Sequence, residues 1–397
     1  MEVLHYDEEK IKTLSAFMKE LIDGSDKYTK KGIYDKYADT INKIKPLDLF
    51  YLDMYKQDTT SSIDQIKDEA NRFVNVFYHR LVEFKKESYN HLFFNCLIKE
   101  NRSIEKHLNS LKVYYKKNEI VNHIDELIKG FEVCLQFEKK FIKKENILFP
   151  HLEKVMPSTK PLEVLWSLHD DARKLVKDIL IELRKEVFDE TEFLILMGEY
   201  YYLIFGLNIK DEIILFPVSE MILSNDILNE IYSESFEYGY ALTDIIPDSK
   251  YFKETKETVF DGSFKTNTGS LSFKEIDLLF NALPLDITFV DKDNRVKYFN
   301  DRAERHFPRN PSVIGRLVKH CHPPKSVQVV EGIVEAFKNG TKDFADFWIT
   351  FKGSTLYITY YAVRDNENKY IGVLEVSQDI TYIKTLEGSK KLLDWDK

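Results

Sequence analysis

Two histidines and two glutamates are the residues best placed to do chemistry in the first half of the chain: His91, Glu145, His169 and Glu212. Apolar periodicity predicts long helices near 87–117, 120–148, 161–187 and 191–214. Asn118, the 150–161 segment and Phe188-Asp189-Glu190-Thr191 break them. Short connections make successive helices antiparallel neighbours, an up-down-up-down bundle. The starts of the first and third helices then lie level with the finishes of the second and fourth. His91 and His169 sit near those starts, and Glu145 and Glu212 near those finishes, so the four could share one layer of the core. Two imidazoles and two carboxylates suit iron, manganese or zinc. An internal echo supports two similar helix pairs: Glu145-Asn-Ile-Leu-Phe-Pro150 closes the second helix and Glu212-Ile-Ile-Leu-Phe-Pro217 the fourth.

A second group lies far downstream, Cys321-His322-Pro323-Pro324-Lys325-Ser326, with Arg316 just before it. Proline cannot extend a preceding helix but is welcome at a helix start, so this is a rigid turn opening a helix over 326–338. Free backbone amides there, with Arg316 and Lys325, could hold an anion or small ligand. Cys321 beside a helix start could act as a redox switch. His322, His320 or His306 could ligate haem or a metal. The competing reading is an internal brace, with His322 and Arg316 bonded to loop backbone and Cys321 packed as a small apolar group. Arg305, Arg309 and Arg364 read either as surface ion pairs or as pocket lining, and Trp348 and Tyr357 as core or sheet-face packing.

The elements carrying these groups divide a chain of 397 residues into several domains, since one core serves roughly 150 residues. Residues 1–83 read as short amphipathic helices with no chemistry of their own. Residues 87–222 are the bundle and 223–270 a helix and linker. Residues 271–385 form an α+β module and 386–397 a tail. In the module, helices over 273–283 and 326–338 accompany strands over 287–290, 296–299, 344–351, 355–363 and 370–380, giving a five-stranded antiparallel sheet with helices on one face. Asn300 is suited to cap a short helix. The net charge of −9 argues against a nucleic-acid binder. The three cysteines are far apart, which fits a reducing cytoplasm. The apolar stretch 193–209 contains Glu199 and Asn208 and falls short of the about 20 residues a membrane span needs, so it is expected to be a buried helix.

At these residues the sequence resembles a prokaryotic family that joins an N-terminal helical domain of unknown function, a hemerythrin-like (HHE) cation-binding bundle and a C-terminal PAS domain. The PAS resemblance runs through Leu283-Pro-Leu-Asp-Ile-Thr-Phe-Val-Asp291, His306-Phe-Pro-Arg309, Cys321-His-Pro-Pro-Lys-Ser326, Gly372-Val-Leu-Glu375 and Gln378-Asp-Ile-Thr381. The bundle resemblance rests on Glu100-Asn101, Lys144-Glu-Asn-Ile-Leu-Phe-Pro150, Trp166, His169-Asp170 and Glu212-Ile-Ile-Leu-Phe-Pro217. Hemerythrin-like iron sites carry a histidine one turn before each of the two carboxylates; here those positions hold Phe141 and Asn208. On the first helix the aligned pair is Leu92 and Asn95, and only His169 matches. The resemblance therefore implies a degenerate metal site, with Lys140 near enough to neutralise Glu145 or Glu212. It implies a cytoplasmic sensory or regulatory protein whose PAS domain detects a small ligand or redox state and relays it through the bundle. The alternative is an iron- or haem-binding protein handling oxygen, NO or iron. No phosphate-binding glycine loop or nucleophile elbow is present, so an enzyme is not expected. The expected partners are a small molecule and a protein receiving the output, with a homodimer as one assembly and neither nucleic acid nor membrane.

Overall fold

The computed structural model describes residues 6–23, 27–52, 63–115, 119–156, 158–248, 250, 262–266 and 268–389, the side chains of 22, 23, 27–29, 63, 64, 69, 73, 266, 324 and 325 excepted. The chain separates into two compact units, Met1–Glu254 and Thr255–Lys397.

The first unit is helical. Helices α1 (Glu8–Asp23), α2 (Lys27–Ile41), α3 (Asp48–Leu52) and α4 (Ile63–Leu81) form a small layer of their own. Ile11, Leu14, Phe17 and Met18 recur on one face of α1 and are buried. The Phe17 ring joins this layer, packing against Tyr34, Tyr37 and Phe77. Next come α5 (Leu92–Leu111), α6 (Ile124–Cys134), α7 (Glu138–Lys143), α8 (Phe149–Glu153), α9 (Lys160–Leu183), α10 (Glu190–Lys210), α11 (Phe216–Ile222) and α12 (Asn225–Tyr238). Contacts between α5 and α6, α6 and α9, α9 and α10, and α10 and α5 close a cycle around the largest hydrophobic core. Asp189 caps α10 by accepting from the amides of Thr191 and Glu192. No helix among the described residues is long and apolar enough to cross a membrane.

Pro150 and Pro217 do not close their helices, contrary to the sequence expectation. A π turn, Lys144–Leu148, joins α7 to α8, and another, Asp211–Leu215, joins α10 to α11. A proline ring crowds the carbonyl four residues back and offers no N–H. Inserting one residue per turn relieves this: Phe149 N–H donates to the Lys144 carbonyl and Phe216 N–H to that of Asp211, each five residues back. The repeated motif is thus a repeated helix widening, and its first residues are turned into the core.

In the second unit, strands β1 (Ser263–Thr266) and β2 (Gly269–Ser272) pair as a hairpin where a linker was expected. The Ser272 hydroxyl and Glu275 carboxylate make a capping box that starts α13 (Phe273–Ala282). Strands β3 (Asp286–Asp291) and β4 (Val296–Phe299) precede α14 (Pro324–Lys338), and β5 (Phe344–Phe351), β6 (Ser354–Arg364) and β7 (Tyr370–Asp379) follow it. All pairings are antiparallel in the order β4-β3-β7-β6-β5. Asn300 caps no helix. It is fully buried, accepts from the Ile287 amide at 2.8 Å and donates to the Phe280 and Leu285 carbonyls at 2.9 Å, pinning α13 to the sheet. Trp348 is also not core: it stands 69% exposed on edge strand β5.

Gly372 marks the tightest point of the sheet, opposite Asp291 on β3 and Val363 on β6. A Cβ there would lie 2.2 Å from the Val290 carbonyl oxygen and 2.7 Å from the Phe289 ring. A backbone oxygen in a central strand cannot step aside, so Gly372→Ala is expected to destabilise this unit by about 1–3 kcal/mol. Urea denaturation followed by circular dichroism measures it; an unchanged midpoint contradicts the packing described.

Candidate functional site

The two π turns place opposite charges at equivalent positions of the repeat. Lys144 opens the first and Asp211 the second, and Lys144 Nζ lies 3.0 Å from both Asp211 carboxylate oxygens. Lys140, one turn earlier, adds a contact of 2.8 Å to Asp211 Oδ2 and donates to Asn208 Oδ1 at 2.5 Å. All three charged groups are fully or almost fully buried. Burial alone would raise the Asp211 carboxyl, but Lys140 and Lys144 hold it below the usual carboxylate range. Burial brings the Lys144 ammonium down to about 8, with Asp211 opposing. A third buried lysine, Lys143, contacts Glu100 Oε1 at 2.9 Å and donates to the Gly239 carbonyl at 2.6 Å. Glu100 Oε1 also accepts the Ala241 amide at 2.5 Å, so the core holds the chain just beyond α12.

The two glutamates of the repeat are each held in a fork by an arginine from a neighbouring helix. Arg173 reaches Glu145 at 2.8 and 3.1 Å, and Arg102 reaches Glu212 at 2.6 and 2.8 Å. Asn101 and Lys85 add bonds to Glu212. His169 is stacked on Phe141 with ring centres 4.5 Å apart, and its Nδ1 lies 2.7 Å from Glu145 Oε1. A carboxylate only accepts, so Nδ1 carries the proton. Burial, then Lys144 and Arg173, keep this imidazole neutral by pushing its pKa well down. Its Nε2 is buried without a partner.

Of the four residues read from sequence as metal ligands, only His169 and Glu145 meet. Glu212 is bound elsewhere, by Arg102. His91 caps α5, its Nδ1 accepting the Phe93 amide at 3.2 Å while Nε2 donates to Asn229 Oδ1 at 2.9 Å. The donor set does not fit a metal: the carboxylate oxygens of Glu145 and Glu212 accept from cations, and both His91 nitrogens are engaged. Among the described residues no three His, Cys, Asp or Glu side chains converge on a metal position. The neutralising role expected of Lys140 toward Glu145 or Glu212 falls to the two arginines, while Lys140 serves Asp211. Sequence reading missed Asp211, although its alignment with Lys144 in the echoed motif is visible.

In the second unit the polar residues gather on the inner face of the sheet. Strand alternation and register stack Asp286, Ser377 and Ile358 in one row, Thr288, Glu375 and Tyr360 in the next, and Val290, Val373 and Ala362 in a third. Arg309 reaches in from the loop after β4, its Nη2 lying 3.4 Å from Glu375 Oε1. Burial works against the Arg309 cation and Glu375 outweighs it, so its pKa is raised. Around this pair, Thr288 Oγ1, Ser377 Oγ, Asp286 Oδ1 and Arg309 Nε are buried with no hydrogen-bond partner. Arg302 comes only to 3.7 Å from Asp286 Oδ1, too far for a hydrogen bond. Three of these atoms stand on two adjacent rows of the sheet and the fourth, Arg309 Nε, comes in from the loop, leaving buried donors and acceptors unused.

The Cys321 motif borders this face and braces it. His322 Nδ1 donates to the Val318 carbonyl at 2.8 Å, and burial lowers its pKa against the pull of Glu375. Cys321 Sγ faces the Leu317 carbonyl at 3.7 Å and packs on the Val290–Val330 cluster. Arg316 is buried, and its charge is felt at His322. The Lys325 side chain lies outside the described residues. Arg305 is a brace, bonded to the Asn300 carbonyl and side chain at 2.7 Å, and Arg364 is paired with Asp343. Thr288, Glu375 and Ser377 were missed from sequence, yet polar residues at every second position of otherwise apolar strands were the signal.

Removing one partner of a buried ion group strands the others, so Asp211→Asn is expected to cost about 3–5 kcal/mol. Glu8→Gln, which breaks the exposed Lys12 pair, should leave stability nearly unchanged. Denaturant midpoints of both variants test this; equal effects would refute the weight given to the buried cluster.

Residues 276–381 match a family described as a PAS domain. Among solved structures, a C-terminal domain from Streptococcus mutans is 38% identical, covering 32% of this chain and 100% of that one with a TM-score of 0.31. The PAS domain of a protein from Colwellia psychrerythraea is 18% identical over 28% of this chain and 97% of its own, with a TM-score of 0.23. That of BvgS from Bordetella pertussis is 20% identical over 27% and 85%, with a TM-score of 0.24. No curated protein matches the chain. The five-stranded sheet and the family match agree: this chain carries a PAS domain at residues 276–381.

Proposed function

We propose that this is a cytoplasmic sensory or regulatory protein that works by binding rather than turnover. Its PAS domain detects a compact polar molecule at the Arg309–Glu375 pair, and a hemerythrin-like bundle that has exchanged its metal for internal ion pairs relays the event to a protein partner. The observation carrying this reading is the set of four buried polar atoms without a hydrogen bond, three on the inner sheet face and one on Arg309 beside it. Each costs about 1–3 kcal/mol while unsatisfied, and a ligand offering both donors and acceptors recovers that cost. The relay is supported by the repeated π turns and by the hold of Glu100 and Lys143 on residues 239–241. Iron or haem handling has less support, because the candidate carboxylates are already neutralised.

Native mass spectrometry of the freshly purified full chain tests this. A small organic adduct is expected on the parent protein, and a several-fold smaller bound fraction in Thr288→Val. That change removes one unpartnered hydroxyl and leaves the ligand-free stability equal or higher. A haem or iron mass would favour the rival reading. A bare chain in both proteins would count against any resident ligand.

A further inference from the structure

Two cavities meet in the helical unit, away from the ion-paired core. One, of about 90 Å³, is lined by Phe50, Ile66, Ala70, Val164, Leu165 and Ile214 and is almost wholly apolar. The other, of about 420 Å³, runs between α4 and α10 and is walled by Tyr78, Tyr201, Tyr202 and Phe205. That volume lies within the range of small-molecule sites. Val74 and Lys210 line both, so the spaces adjoin at the Lys210 side chain. Gly206 faces the same ammonium, and even an added Cβ there would lie 3.6 Å from it.

The charge around this junction is one-sided. Lys160, Lys210 and Lys112 line the two cavities, and the described lining contains no aspartate or glutamate, in a chain of net charge −9. Lys112 lies about 6 Å from the Tyr201 and Phe205 rings at the outer end. Lys210 has no ion-pair partner among the described residues; its sequence neighbour Asp211 is committed to Lys140 and Lys144. Burial lowers the Lys210 pKa, which marks its ammonium as poorly solvated. A half-buried cation flanked by an apolar chamber and an aromatic cleft lacks only a counter-ion with an apolar body.

We propose that this composite cavity binds an amphipathic organic anion, a carboxylate carried on a medium-length alkyl chain, with the carboxylate at Lys210 and the chain in the apolar space beside it. This site lies in the helical unit and is independent of the PAS reading. Isothermal titration of the full chain with sodium octanoate, 1-octanol and octylammonium tests it. Octanoate is expected to saturate one site per chain, at least about tenfold tighter than 1-octanol, with octylammonium not binding. In Lys210→Met, octanoate should fall to the level of 1-octanol while 1-octanol binding persists, which also shows the variant folded. Lys210→Arg should keep the preference for the anion. Equal binding of octanoate and 1-octanol, no saturable binding, or unchanged octanoate binding in Lys210→Met would each overturn the proposal.

Discussion

The helical unit depends on a cluster of charges whose centre, Asp211 with Lys140 and Lys144, is cut off from water, while Arg173 and Arg102 reach its glutamates from the margin. Taking such groups out of water is costly, and their mutual attraction offsets that cost only when the geometry is good. Here the π turns supply the geometry. By widening the helix just before each proline, they rotate the Lys144–Glu145 and Asp211–Glu212 pairs inward together. Proline, helix widening and ion pairing form one device, used twice. The buried Lys140 and Lys144 meet Asp211, and Arg173 and Arg102 meet the two glutamates.

The PAS domain solves a different problem with the same residue classes. Its inner sheet face is polar in two rows and apolar in the third, and loop residues brace the margin. Asn300, Arg305 and His322 satisfy their hydrogen bonds with backbone partners and hold the edges rigid. Thr288 Oγ1, Ser377 Oγ and Asp286 Oδ1 make no hydrogen bond, although Asp286 Oδ2 accepts the His306 amide. A purely structural core closes its polar contacts, so the open atoms of this face support the proposed ligand role.

Much of this was legible beforehand. Alternation located all five strands, and the echo of Glu145–Pro150 in Glu212–Pro217 located the two halves of the helical core. What escaped was tertiary. Pro150 and Pro217 looked like terminators because local propensity cannot foresee a π turn. His91 looked like a ligand because helix ends near one level say nothing of which way a ring points. Asn300 looked like a cap, and only the packed structure shows it bonded to three backbone groups. Lys144 and Asp211 were readable in principle, since opposite charges at matching positions of a repeat are a specific pattern.

The strand order β4-β3-β7-β6-β5 has a consequence for biosynthesis. The first strand of the five is flanked by the last, with Asp286 opposite Ser377. While the ribosome is still adding β5 and β6, β3 has only β4 beside it, and its far edge stays bare until residue 379 has emerged. Non-local pairing of this kind closes late. The helical unit, translated earlier and built from neighbouring helices, has its partners at hand, so nascent chains pass through a stage with a finished first half and an open sheet edge.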